Sequence, residues 1–158
     1  MYCKKRTLLF IAGSIWFGMG LYLMIIGMGF LEVSLAPDVH APLLTSLENL
    51  FGARDITVVL LVALALVIGQ IKGRTVLTKA ALRQADRILS LPEPTHIKNL
   101  FSGRFYVLMA IMMGLGIGMK YFGVPLDIRG AIDVTVGVAL IQGAVAYYKQ
   151  TATAPSHL

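Results

Sequence analysis

Apolar positions fall into four long runs, separated by polar segments of unequal length. Thr7 to Leu31 carries no charge; at about 1.5 Å of rise per residue it reaches roughly 37 Å as a helix, more than the ~30 Å hydrocarbon core of a bilayer. Ile56 to Ile71 is uncharged between Asp55 and Lys72, and Phe105 to Met119 is uncharged up to Lys120, after which Tyr121 to Leu126 completes the run. Asp127-Ile-Arg129-Gly130 reads as a tight connection, and Ala131 to Tyr148 is the last run, with Asp133 about one turn inside it. The pattern predicts an all-α integral membrane protein, a single membrane domain over 1–158 with four transmembrane helices at about 7–31, 55–71, 105–124 and 130–148.

Two polar segments have a pattern of their own. The outer loop 32–54 contains Thr45-Ser-Leu-Glu48, which has capping-box spacing and predicts a short interfacial helix ending near Gly52. The connector 72–104 sets Lys79, Arg83 and Arg87 on one stripe and apolar Val76, Ala80, Ala85 and Ile88 on another. That spacing predicts a basic amphipathic helix, ended by Pro92-Glu-Pro94 and docked on anionic phospholipid head groups.

Composition agrees with the pattern. The 158 residues are 57% hydrophobic and 14% charged, whereas soluble chains are about a quarter charged. The formal net charge of +6 sits mostly on loops beside apolar runs, so the expected partner is the lipid bilayer and no nucleic acid. Lys4, Lys5, Arg6, the basic connector residues and Lys149 share one side; only Arg54, Lys120 and Arg129 lie toward the other. By the positive-inside rule the protein is expected in a bacterial-type inner membrane, with its N- and C-termini cytoplasmic. The first run is far longer than the 7–15 residues of a signal-peptide core, so it is read as a retained span.

The runs also resemble each other. At an offset of 98, Ala12, Gly18 and Gly20 meet Ala110, Gly116 and Gly118; at an offset of 78, Asp55-Ile-Thr-Val meets Asp133-Val-Thr-Val. This predicts two tandem hairpins related as a parallel repeat. Small residues spaced for close helix packing, within the chain or in a homodimer, are Ser14, Gly18, Gly20, Ala110, Gly114, Gly116, Gly118, Ala139 and Gly143.

Candidate chemistry is sparse. Cys3 is the single cysteine, and His40, His96 and His157 lie on separate polar segments, so no metal site, cofactor site or catalytic set is expected and the chain is not read as an enzyme. Ionisable groups at membrane depth are costly and are usually paired or functional. Asp55, Asp133, Lys120 and Tyr22 form the candidate intramembrane polar site, with Lys120 and Asp133 expected to pair at matching depth. The expected function is a component of a dimeric transporter or channel for a small solute or ion. The alternatives are a non-transporting scaffold or accessory subunit that binds a membrane partner protein, and, more remotely, an interfacial enzyme acting on lipid.

Overall fold

The computed structural model describes residues 2–3, 5–90, 95–96 and 103–153. The Pro92-Glu-Pro94 stop, Lys98 and the tail beyond Thr153 lie outside the described residues. The fold is helical, with α1 (Lys5–Val33), α2 (Pro42–Phe51), α3 (Arg54–Lys72), α4 (Thr78–Ser90), α5 (Gly103–Tyr121) and α6 (Leu126–Thr153). A two-residue antiparallel pairing joins Tyr2–Cys3 to Thr95–His96. Three helical stretches are long and apolar enough to cross a membrane: Arg6–Val33, Arg54–Ser90 and Leu126–Thr153. The chain is thus compatible with a multi-pass membrane protein.

The middle stretch joins two elements expected to be separate. A π-helical turn, Gly73–Leu77, carries α3 directly into α4 without breaking the axis. Gly73 keeps right-handed helical angles (φ −60°), so it does not end the helix. The apolar side of α4 is not laid on a lipid surface, because Ala81, Ala85 and Ile88 are buried with Leu8, Leu9 and Ala12 of α1 and Ala144 and Tyr147 of α6.

α6 is the helix on which the others pack. α1 lies antiparallel along it, and α3 with the π-turn lies on another side, parallel to it. The α1 seam is made by glycines seven apart. A methyl group on Gly20 would sit 2.7 Å from the Gly137 carbonyl oxygen, and one on Gly27 would sit 2.8 Å from that of Gly130. The two backbones therefore touch. A heptad repeat keeps the same face of two helices together over several turns, and without side chains there the dispersion contact comes from the backbones themselves. On α3 the small and buried positions are four apart, Thr57, Leu61, Ala65, Gly69 and Gly73, and a methyl on Gly69 would lie 2.6 Å from the Thr135 carbonyl oxygen.

The hairpins of the expected repeat do not pack as two equivalent units. A two-fold axis exchanging α3 with α6 would carry the α1–α6 seam into an α5–α3 seam. Instead α5 borders α1 and α6 loosely, and among the described residues it has no extensive contact with any element. Asp55 is the second residue of α3, whereas Asp133 lies two turns inside α6, because α6 begins at Leu126 and not near Gly130. Thr57 and Thr135 each donate a hydroxyl to the carbonyl four residues earlier, on Ala53 and Ala131, but Thr45, Thr75 and Thr151 do the same, so the bond does not set the matched pair apart.

Candidate functional site

The α2 end of the bundle is organised by a buried carboxylate that sequence reasoning passed over. α2 starts at Pro42, whose fixed φ suits a first helical position, and Ala41 before it offers no side-chain cap. Thr45 is not the cap that the capping-box spacing suggested, since its hydroxyl donates to the Ala41 carbonyl from within the helix. The acceptor comes from α6. Asp127 Oδ2 accepts the Leu43 and Leu44 amides at 2.8 and 3.1 Å, and Oδ1 accepts Ile128 N–H at 2.8 Å. A carboxylate at a helix N-terminus satisfies free amides and meets the positive end of the dipole. Asp127, fully buried, thereby fastens the loop helix to the hub.

Arginines hold the same end. Arg54 donates from Nη2 to the carbonyls of Ser34 (3.0 Å) and Ala36 (3.3 Å), which ties the loop after α1 to the start of α3. Arg129 stacks its guanidinium 4.7 Å above the Phe30 ring on α1. The turn between α5 and α6 is closed by Gly123 at φ +65°, with Val124 N–H bonded to the Met119 carbonyl and Gly123 N–H to that of Lys120.

Of the four candidate intramembrane residues, the structure brings two together. Tyr22 and Asp133 both line an open cavity of about 330 Å³ between α1, α5 and α6, whose other walls are methionine and aliphatic side chains, among them Met19, Met112, Met113 and Met119. Asp133 is half-buried and, among the described residues, no hydrogen bond satisfies its carboxylate. Arg129 lies one turn earlier on α6, and the expected partner Lys120 is exposed near the end of α5, with no ion pair to Asp133 among the described residues. Asp55 is exposed at the start of α3, away from this cavity. A second open cavity of about 260 Å³, between α2, α3 and α6, is aliphatic apart from Thr135.

The small-residue positions divide in the same way. Gly20 and Gly143 are at contact, Gly20 on Gly137 and Gly143 on the Trp16 ring, which a methyl would approach to 2.6 Å. Ala139 is buried against Gly73. Ser14 is exposed and shares a 3.3 Å hydrogen bond with the Tyr148 hydroxyl. Gly18, Gly114, Gly116 and Gly118 have open space where a Cβ would be, and Ala110 is exposed. The seam residues that spacing by four overlooked, Gly27, Gly130 and Gly137, were visible as a seven-residue recurrence in Gly13-Gly20-Gly27 and Gly130-Gly137-Ala144.

At the other end, Lys79, Arg83 and Arg87 are exposed on the outward face of α4, continuing from exposed Lys72 and Arg74. The apolar half of that helix is used inside the bundle, so only the charged half is free. Among the described residues no group of His, Cys, Asp and Glu could hold a metal ion. No family model matches the chain, and neither curated proteins nor solved structures give a match.

Proposed function

We propose that the chain is a four-span protein of a bacterial-type inner membrane, with N- and C-termini cytoplasmic, acting as a non-transporting scaffold or accessory subunit. The fourth span is α5: it has 19 residues, about 28 Å, and is apolar between Arg104 and Lys120. Its crossing is supported by direction. Because α3 and α6 run parallel, the chain must return along the bundle between them, and α5 is the described element placed to do so. The basic face of α4 then lies where anionic head groups attract lysine and arginine, at about 1 kcal/mol per residue near the surface.

The observation that carries the non-transporting reading is the glycine seam. Where the Gly20–Gly137 and Gly27–Gly130 backbones touch there is no room for a solvated path between α1 and α6, and the two open cavities beside that seam are lined mainly by apolar side chains, with Asp133 and Tyr22 the polar groups of the larger one. A scaffold needs an exposed helix to offer, and α5 presents Val107, Ile111, Met113, Leu115 and Ile117 more than half exposed. The permeation reading is favoured by one feature, the Asp133 carboxylate in the α1–α5–α6 cavity. A flux measurement separates the two. Vesicles containing the purified protein are expected to hold a potassium or proton gradient as long as protein-free vesicles; a leak abolished by Asp133→Asn would establish permeation instead.

A further inference from the structure

We propose that the α1–α5–α6 cavity is a binding site for a lipophilic cation, with Asp133 as its counter-ion and Tyr22 as a hydrogen-bonding neighbour; this rests on reading α5 as a membrane helix. The cavity volume of about 330 Å³ lies in the range of small-molecule pockets, which are mostly apolar with a few polar groups that fix orientation. Here the polar groups are few and set at one end. Asp133 precedes Val136 on α6, and Tyr22 follows Met19 on the antiparallel α1, so carboxylate and phenol share the end nearer α2. On α5 the lining runs from Ile111 to Met119, about 12 Å of helix, which leaves an apolar slot for the body of a ligand.

Charge decides the chemical class. A carboxylate in apolar surroundings, without a hydrogen-bond donor among the described residues, is complemented by a cation that brings its own apolar cover. Arg129 lies one turn from Asp133 on α6, but its guanidinium is seated on Phe30 and does not line the cavity. An anionic ligand would meet the carboxylate directly and is excluded by repulsion. Methionines suit such a wall, because thioethers are polarizable and adapt to different shapes. The cavity is open rather than enclosed, which gives the ligand a way in.

Three probes with one apolar cage and different charge test this on the full chain in lipid nanodiscs: 1-aminoadamantane, 1-adamantanol and adamantane-1-carboxylate. Saturable binding of the amine by calorimetry is expected, with no saturable binding of the carboxylate. Asp133→Asn should weaken the amine roughly tenfold or more, the size of losing a charge-assisted contact, and leave the alcohol unaffected. Gly116→Leu, which enters open space on the cavity wall, should abolish amine binding without unfolding the chain, and Gly18→Ala, outside the cavity, should not change it. Equal binding of all three probes, non-saturable uptake, or an Asp133→Asn variant that binds the amine as before would overturn the proposal. Cysteine labelling of the far end of α5 checks the underlying span independently, so absence of binding with α5 across the membrane counts against the site alone.

Discussion

Removing the Asp127 carboxylate would leave the Leu43 and Leu44 amides without an acceptor at the start of a helix that has no side-chain cap of its own. Unsatisfied buried donors cost about 1–3 kcal/mol each, and loss of a helix cap about 0.5–2 kcal/mol. Asp127→Ala is therefore expected to lower stability by ~2 kcal/mol and to speed hydrogen exchange across 42–51 much more than elsewhere, whereas Asp127→Asn, which keeps one acceptor oxygen, should fall between. Unchanged exchange in α2 would mean that burial of Leu44 alone holds it. This residue shows where sequence reading ends. Asp127 is recognisable as a polar residue in a turn, but its acceptor role depends on amides more than 80 positions away, and no local pattern encodes that pairing. Asp133 was legible because an acid inside an apolar run is costly wherever the run folds. Its surroundings were not, since matching depth pointed to Lys120 on the neighbouring helix, whereas the described structure sets Asp133 in a mostly apolar cavity with Tyr22.

At the level of elements, the helices were legible and their faces were not. Uncharged runs mark where α1, α3 and α6 lie but not their ends: α6 begins at Leu126, and α3 continues through the π-turn into α4. In lipid, however, the side facing another helix is as apolar as the side facing acyl chains, so hydrophobic periodicity does not say which side is buried. Glycine spacing does. A methyl at Gly20 or Gly137 would meet the opposite backbone at 2.7 or 2.6 Å, and backbone cannot step aside as a flexible side chain can. Gly20→Ala and Gly137→Ala are each expected to destabilise by ~1–3 kcal/mol, the cost of overpacking, in thermal or denaturant unfolding from micelles. Gly18→Ala, two residues away in open space, should be neutral or slightly stabilising through helix propensity. Equal losses at Gly18 and Gly20 would contradict the seam. The α4 helix teaches the complementary lesson: its amphipathic pattern was plain, but an apolar stripe can be met by lipid or by protein, and here Leu8, Ala12 and Tyr147 meet it.

For the whole molecule, the consequence of these contacts is a hub arrangement in which the last long helix is the centre. The first apolar run is the longest uncharged one and invites being read as the organiser, yet over half of the apolar window of α6 is buried within the protein and about a quarter of that of α1. Burial of α6 between an antiparallel and a parallel neighbour fixes the relative directions of α1, α3 and α6, which composition alone leaves open. In the proposed four-span reading the chain returns along α5 between α4 and α6, and that return joins the fourth span, the lateral cavity and the free face of α5 in one proposal. Tyr121, at the end of α5 and almost fully exposed, reports on it directly. In a Cys3→Ser background, Tyr121→Cys is expected to react with a membrane-impermeant maleimide in intact cells, as Ser46→Cys on α2 should, while Ser90→Cys on α4 reacts only after permeabilisation. Labelling of Tyr121→Cys that required permeabilisation would place both ends of α5 on the cytoplasmic side and contradict the four-span account.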